Sequence, residues 1–349
     1  MIEDIIISSV KKYVNDNART IGIDENCISI KTLIDHDYLK EGIIANSDIA
    51  DTKVIQLTYE DDFHYELVNK KDCIVPATQY LLTKTNPSEV TEYNSGDVHE
   101  MYIFVHEKTE QTPSLIDYRY IGNDPYNYIY FNNELWRIIG IFTVEDENGK
   151  LEQKLKLVRN DVLNDVVWDT NRSNDWVNST LNNYLNNDYY NTLSVEDKKM
   201  IATTKVYLGG FTDSLNFNAE TFYSYERGNS VYSGRQINTR ENISLIYPSD
   251  YIYTYALGIN NTCYNDAKNC NQSLDSWLGF DYNKVYIQQW TVTPYYSTQW
   301  RAYQLTYNGA VHQNHTNNKF SYRPTIYLSS KVKIKSGDGS KDNAYKIFI

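Results

Sequence analysis

The stretch YIYFNNELWRIIGIF, residues 128–142, decides the fold class of this chain. Its two apolar runs flank the pair Asn132–Asn133, and asparagine tolerates the positive φ that a tight hairpin turn requires. The stretch therefore predicts an antiparallel hairpin. Trp136 lies in the second run and is expected to be a structural residue of the core.

The part of the chain after this hairpin mixes strands with helices. A strand is predicted at Leu155–Val158, and apolar residues recur at helical spacing from Trp176 to Tyr189. Ser194 can cap one further helix. From Gly209 onward, glycine, asparagine and tyrosine dominate, which predicts loops and short strands.

The N-terminal part has its own order of elements. Apolar residues at helical spacing predict an amphipathic helix over residues 3–17. Ser29–Gly42 predicts a short second helix that begins near Thr32 and is stopped by glycine. Alternating residues at 53–59 and 63–68 then predict a β-hairpin.

A length of 349 residues suggests two domains. We assign residues 1–75 to the first and residues 117–349 to the second. Residues 76–116 mix Thr, Pro, Ser, Glu and Gly with one apolar stretch, Met101–Val105, and predict a linker that contains one strand. The predicted fold class is α+β: a small α+β head, followed by an α+β domain rich in loops and short antiparallel strands.

The charge of the chain limits its partners. Lys and Arg number 33 against 45 Asp and Glu, so the formal net charge is −12 at pH 7. Such a chain has no electrostatic reason to approach nucleic acid or an anionic lipid surface. No apolar run in the sequence approaches the roughly 20 residues that span a bilayer.

The four cysteines, Cys27, Cys73, Cys263 and Cys270, predict two disulfides. Their number is even and no CxxC pair is present, whereas a zinc site needs closely spaced ligand pairs. We expect one disulfide in each domain, Cys27–Cys73 and Cys263–Cys270, and therefore an oxidising compartment. The alternative for Cys263 and Cys270 is a redox or copper-binding pair.

The sequence carries no GxSxG, GxxxxGK[ST], GxGxxG or HExxH motif, so it gives no support to an esterase, kinase, dehydrogenase or zinc protease. His312 and His315 could bind a metal, and residues 338–343 offer oxygen ligands for calcium. An isolated histidine pair and an ordinary turn explain both features. We therefore predict that the chain is not an enzyme and holds neither a metal nor a cofactor.

Aromatic residues are concentrated between Trp277 and Tyr327, among Asn, His and Arg. Aromatic rings beside amide and imidazole groups bury contact area and lose little side-chain entropy, as a sugar-binding or protein-binding surface requires. Trp290 and Arg323 are expected to be structural. The residues predicted to contact a ligand are Tyr295, Tyr296, Trp300, Tyr303, His312 and His315.

Residues 1–75 resemble the globular head of type IV pilin-like proteins of Gram-positive bacteria. The resemblance rests on SVKKYV at 9–14, on CISIKTLIDHDYLKEG at 27–42, on the hairpin, and on Cys73 beyond it. It implies a hydrophobic half of the first helix upstream of Ile2, and other pilin subunits as partners. Contact with a membrane would occur only through that upstream half.

Residues 117–349 resemble an uncharacterised domain family of Gram-positive and phage surface proteins, whose ending is related to the C-type-lectin-like fold. The resemblance implies that the segment between Trp290 and Arg323 forms exposed loops on a rigid scaffold, where binding residues tend to lie. The matching stretches include FNNELWRIIGIF at 131–142, WVNSTLNNYLNNDYY at 176–190, WTVTP at 290–294 and YRPTIYL at 322–328.

Together these features predict an extracellular protein of the cell surface or of a fimbrium. It would be an adhesin, or a minor tip subunit of a type IV pilus, that binds a glycan or a host or bacterial surface protein through its C-terminal loops. One alternative is a phage or cell-surface receptor-binding protein with a variable region diversified by a retroelement. Others are a purely structural fibre protein and an oxidase related to formylglycine-generating enzymes, which free thiols at Cys263 and Cys270 would favour.

Overall fold

We describe the fold from a computed structural model. The described residues are 2–17, 27–43, 49–59, 63–70, 75–90, 98–255, 262–270, 276–279 and 288–349. The chain forms two compact units, Met1–Tyr80 and Leu81–Ile349. Both units combine helices with mostly antiparallel strands, so the predicted α+β class is confirmed.

The first unit packs one long helix against a small antiparallel sheet. Ile6, Val10 and Val14 repeat along one side of this helix and share a buried apolar cluster with Ile55 and Leu57 of the sheet. The predicted amphipathic helix and hairpin are therefore confirmed. The helices are α1 (Ile2–Asn17), α2 (Ile30–Asp35) and α3 (Ile49–Thr52), and the strands, in sheet order, are β1 (Cys27–Ser29), β2 (Lys53–Tyr59) and β3 (Phe63–Asn69).

The second helix is shorter than the sequence suggests. Ser29 caps α2 by accepting a hydrogen bond from the backbone N–H of Thr32 at 2.9 Å. The helix ends at Asp35 because Asp37 adopts a left-handed φ of 60°, and Gly42 lies in a separate 3-10 turn. The stop signal is thus an aspartate rather than a glycine.

The second unit contains two large sheets, counted over the described residues. The larger sheet contains β4 (Ser88–Glu89), β5 (Tyr102–His106), β6 (Leu115–Arg119), β7 (Tyr128–Phe131), β8 (Glu134–Glu145), β9 (Leu151–Arg159), β11 (Ile201–Ala202), β14 (Ile243–Ser244), β19 (Thr325–Leu328), β20 (Lys333–Ser336) and β21 (Tyr345–Phe348). The other sheet has the strand order β10 (Leu163–Val167), β18 (Lys319–Tyr322), β15 (Gln289–Pro294), β16 (Arg301–Leu305) and β17 (Val311–His315).

A third, small sheet pairs β12 (Thr204–Tyr207) with β13 (Asn238–Glu241). Helix α4 (Ala77–Thr85) crosses the boundary between the units. The remaining helices are α5 (Thr180–Asn183), α6 (Tyr190–Thr192), α7 (Val195–Met200), α8 (Ala219–Glu226), α9 (Pro248–Tyr253) and α10 (Thr262–Asn265), and a π-helical turn, Tyr184–Tyr189, joins α5 to α6.

The central hairpin forms as predicted. β7 pairs with β8, and Asn132 and Asn133 have φ values of 52° and 54°, the left-handed pair that a two-residue hairpin turn needs. Trp136 is fully buried. A Cβ added at Gly140 would lie 2.2 Å from the carbonyl oxygen of Tyr118, so β6 can pair here only because position 140 has no side chain.

Residues 81–116 belong to the second unit, and the segment 76–116 differs from the predicted linker. It contains α4, β4, β5 and the start of β6, and the predicted strand at Met101–Val105 is observed as β5. Met101 and His106 are almost completely buried. The composition of this segment did not predict that it belongs to the sheet. β5 is stabilised by its pairing with β6, and this pairing does not follow from the residues of β5 alone.

The predicted disulfide between Cys263 and Cys270 is confirmed. Both cysteines are buried, and the bond closes the short segment that contains α10. Cys27 is also disulfide-bonded. Its predicted partner, Cys73, lies outside the described residues, so the Cys27–Cys73 pairing stays a prediction.

Candidate functional site

The segment from Pro294 to Tyr322 forms strands and tight turns, not the exposed loops that the sequence suggested. β16 and β17 pair in regular register, and β18 follows after a short turn. Trp290 and Arg323, which flank the segment, are buried as expected, and Arg323 donates a hydrogen bond to Gln289. The predicted ligand residues that are partly exposed are Tyr295, Tyr296, Trp300, His312 and His315.

Tyr303 is the one predicted ligand residue that is fully buried. Its ring lies 5.5 to 5.7 Å, between ring centroids, from Phe222 and Phe211 in the main apolar cluster. Side chains alternate between the two faces of a strand, and the face that carries Tyr303 is covered by these rings. We therefore assign Tyr303 to the core and correct its predicted role.

His312 and His315 do not form a metal-binding pair. They lie three positions apart in β17, so their side chains leave the strand on opposite faces. His312 lies near Lys268 and Asp213, whereas His315 lies near Arg172 and Arg301. Within the described ranges, no group of three or more His, Cys, Asp or Glu side chains could hold a metal ion.

The turn before β16 carries Trp300, and hydrogen bonds from Asn174 hold its backbone in place. This buried amide donates hydrogen bonds to the carbonyl oxygens of Tyr295 and Thr298, at 2.8 and 2.7 Å. Thr316, also buried, donates its backbone N–H to the carbonyl oxygen of Trp300 at 3.0 Å. The backbone around Trp300 is therefore held by partners from two distant segments.

A second turn, residues 169–173, presents Arg172. The buried carboxylate of Asp169 accepts hydrogen bonds from Ser173 N, Thr180 N and Thr180 Oγ1 at 3.0 to 3.2 Å. Asp169 also donates its backbone N–H to the carbonyl oxygen of Thr316 at 3.0 Å. Arg172 itself adopts a left-handed φ of 57°, a conformation that a non-glycine residue keeps only when its surroundings impose it.

The two turns and the adjoining ends of β16 and β17 bring four side chains together, and we call the group Arg172, Trp300, Arg301 and His315 the Trp300 surface. Arg172 donates a hydrogen bond to Nδ1 of His315 at 3.0 Å, and its guanidinium carbon lies 6.0 Å from the centre of the Trp300 ring. Arg301 is the direct cross-strand neighbour of His315. Partial burial, Arg172 and Arg301 all lower the pKa of His315, which keeps its imidazole neutral.

Sequence reasoning found Trp300 and His315 but missed Arg172, Asp169 and Asn174. The stretch DTNRSN at 169–174 contains turn-forming residues, which is the one local signal available. Arg172 precedes His315 by 143 positions, so no pattern along the chain connects the two.

A separate polar groove of about 730 Å³ lies elsewhere in this unit. Glu110, in its wall, accepts a hydrogen bond from the backbone N–H of Asn229 and so holds the adjacent turn. No predicted ligand residue lines the groove. Its lining residues are Lys108, Thr109, Glu110, Ser224, Tyr225, Gly228 and Ser230.

The most deeply buried charges form a network that joins β5, β6, β9 and α9. Asp117 contacts His106 at 3.0 Å and Arg119 at 2.7 Å, and Asp250 contacts Arg119 at 3.3 Å and Lys156 at 2.6 Å. Burial opposes ionisation of Asp117, but Arg119 and His106 outweigh it and lower its pKa to about 2. Since every member is almost fully buried, the network serves packing rather than ligand contact.

Comparison with known proteins gives one partial match. The family model of a domain of unknown function, DUF6273, matches residues 152–224, which include Asp169, Arg172 and Asn174 but end before Trp300. No curated protein and no solved structure matches the chain. The likeness to pilin-like heads and to C-type-lectin-like endings therefore stays a prediction.

No helix in the part of the chain that the structure describes is long and apolar enough to cross a membrane.

Proposed function

We propose that this chain is an extracellular surface protein, an adhesin or a minor tip subunit of a type IV pilus, that binds a glycan or protein ligand through the Trp300 surface. One observation carries the proposal: partly exposed Trp300 and His315 flank the exposed side chain of Arg172, on backbone that buried Asp169, Asn174 and Thr316 hold in place. A preorganised aromatic surface with polar neighbours loses little entropy when it binds.

The cysteines support an extracellular location. Cys263 and Cys270 form a disulfide and Cys27 is disulfide-bonded as well. Structural disulfides persist in oxidising compartments and are rare in the cytosol. A disulfide at Cys263 and Cys270 also favours a structural role over the free thiols that the oxidase alternative needs.

The test compares Trp300→Ala with Tyr307→Ala on an array of glycans and of host and bacterial surface proteins, using the full chain. Tyr307 is the matched control, because its ring is 73% exposed in the turn at the other end of β16. We expect Trp300→Ala to weaken binding at least tenfold, since truncating a central aromatic typically costs about 2 kcal/mol or more in binding. Equal losses in both variants, or no ligand on any array, would contradict the proposal.

A further inference from the structure

The Trp300 surface contains two arginines that no carboxylate neutralises within the described residues. The chain as a whole has a net charge of −12. Arg172 and Arg301 form no ion pair in this part of the chain. The arginines that do form ion pairs there are Arg119, Arg137, Arg159, Arg227, Arg235 and Arg240.

Both guanidinium groups keep hydrogen-bond donors for a ligand. Arg172 is exposed, and its one side-chain hydrogen bond within the described residues goes to His315 Nδ1. Arg301 donates one N–H to Oε1 of Gln313 at 3.1 Å; its Nε is buried without a partner in the same part of the chain, so its terminal nitrogens are the donors that a ligand can reach. A guanidinium carries five N–H donors in a planar fork, which matches two oxygens of a carboxylate or a sulfate.

The groups beside the two arginines favour a sugar as the molecule that bears the carboxylate or sulfate. The partly exposed Trp300 ring offers a flat apolar face, and the amides of Asn317 and Asn318 and the side chain of Gln299 form an exposed polar rim. Such a ring binds the apolar face of a pyranose, while amides bind its hydroxyl groups. A sugar residue places one carboxylate or sulfate beside an apolar ring face, which is the combination that the two arginines and Trp300 can bind.

We infer that the Trp300 surface binds an anionic sugar, with the sugar ring on Trp300 and its carboxylate or sulfate bound by Arg172 and Arg301. The inference rests on the proposed function, and it narrows the ligand of that surface to one chemical class. His315 positions Arg172 through the hydrogen bond at its Nδ1. The strained backbone of Arg172 is consistent with a guanidinium held ready for a ligand.

Matched sugars test the charge. The probes are oligomers of galacturonate, glucuronate and sialic acid, each beside its carboxyl methyl ester, with sulfated galactan oligomers as a further arm and polyglutamate as the acidic polypeptide. We expect the free acids or the sulfated oligomers to bind at least about tenfold more tightly than the esters, because hydrogen bonds to charged groups are the strong ones. The carboxylate and sulfate arms identify which anion is preferred.

Matched variants test the arginine. Arg172→Gln should weaken binding of the anionic oligomers about tenfold or more and binding of the esters much less, whereas Trp300→Ala should weaken both. Arg240→Gln is the control, because Arg240 is a surface arginine that pairs with Glu145. Addition of salt should weaken the anionic oligomers more than the esters.

Several outcomes would overturn the inference. Esters that bind as tightly as acids, equal effects of Arg172→Gln and Arg240→Gln, or preference for polyglutamate would each do so. A chain that binds no anionic sugar but binds a protein or neutral glycan through Trp300 refutes the anionic class and leaves the proposed function standing. A chain whose binding never depends on Trp300 refutes both.

Discussion

Removal of the hydroxyl oxygen of Tyr303 tests whether this buried side chain is a residue of the apolar core. Its hydroxyl is buried with no hydrogen-bond partner among the described residues. We expect Tyr303→Phe to keep the free energy of unfolding or raise it by up to about 1 kcal/mol, because the variant removes an unsatisfied polar group. Tyr303→Ala should lose about 3 to 5 kcal/mol. Urea unfolding measures both, and a clear loss in Tyr303→Phe would show that the hydroxyl has a partner.

Glu241 should make stability depend on pH. Burial raises its pKa to about 7 from the ordinary value of 4.5, against the hydrogen bond that it accepts from Trp176. Between pH 4.5 and about 7 the folded chain therefore holds a proton that the unfolded chain releases, so stability falls as pH rises through this window, by up to about 3 kcal/mol.

The variant Glu241→Gln has no ionisable group at position 241. It should therefore lose the contribution of Glu241 to the pH dependence of the free energy of unfolding. In urea unfolding from pH 4 to pH 8, the free energy of unfolding of the variant should rise relative to that of the wild type as pH rises. Burial also raises the pKa of Glu226 to about 7, so a slope of the same sign remains in the variant. Parallel pH profiles of the two proteins would contradict a raised pKa at Glu241.

Individual side chains were the hardest feature to predict from sequence. Tyr303 and Tyr307 lie four residues apart in the same aromatic segment, but the first is fully buried and the second is 73% exposed. Composition cannot separate them, because the strand face and its covering rings depend on pairing with distant segments. Arg172 was missed for the same reason, since its neighbours His315 and Trp300 come from another part of the chain.

Among the elements, the turn at residues 169–173 is the one on which the candidate site depends most. Asp169→Asn should destabilise the chain by about 1 to 3 kcal/mol, because an amide nitrogen cannot accept the hydrogen bond from Ser173 N at that buried position. It should also weaken ligand binding by displacing Arg172. Asp165→Asn is the control, since Asp165 is exposed and accepts from Ser321.

Urea unfolding and a binding assay on these two variants separate the roles of the turn. Equal stability and equal affinity of Asp169→Asn and Asp165→Asn would mean that Asp169 does not hold Arg172 in place.

Elements with a strong local signal were predicted well. The two hairpins and helix α1 were found because alternation, helical spacing and the Asn132–Asn133 turn are properties of neighbouring residues. The end of α2 was placed too late, since a left-handed aspartate stopped the helix before the glycine. The strands of Pro294–Tyr322 were taken as loops because the resemblance implied exposed loops between Trp290 and Arg323, and their polar, aromatic composition gives no clear alternation against it.

For the whole molecule, the main difference from the sequence is the start of the second unit, at Leu81 rather than at residue 117. Local composition suggested a linker, whereas β5 joins the sheet by pairing with β6 and is buried partly by residues far away in the sequence, such as Tyr223. His106 of β5 stacks on the ring of Tyr223 with centroids 3.5 Å apart and bonds to Asp117. Neither contact can be predicted from the residues that flank His106 in the sequence.

This boundary predicts different behaviour for two fragments. Residues 81–349 should unfold in one cooperative transition, whereas residues 117–349 should be less stable by more than about 3 kcal/mol. The shorter fragment begins inside β6 and lacks β5 with the buried side chains of Met101, Tyr102 and His106, and loss of one large buried side chain already costs about 2 to 5 kcal/mol. Since domains are stable by only about 5 to 15 kcal/mol, the shorter fragment should melt far earlier or fail to fold. Thermal unfolding followed by circular dichroism compares the two, and equal melting temperatures would restore the boundary at residue 117.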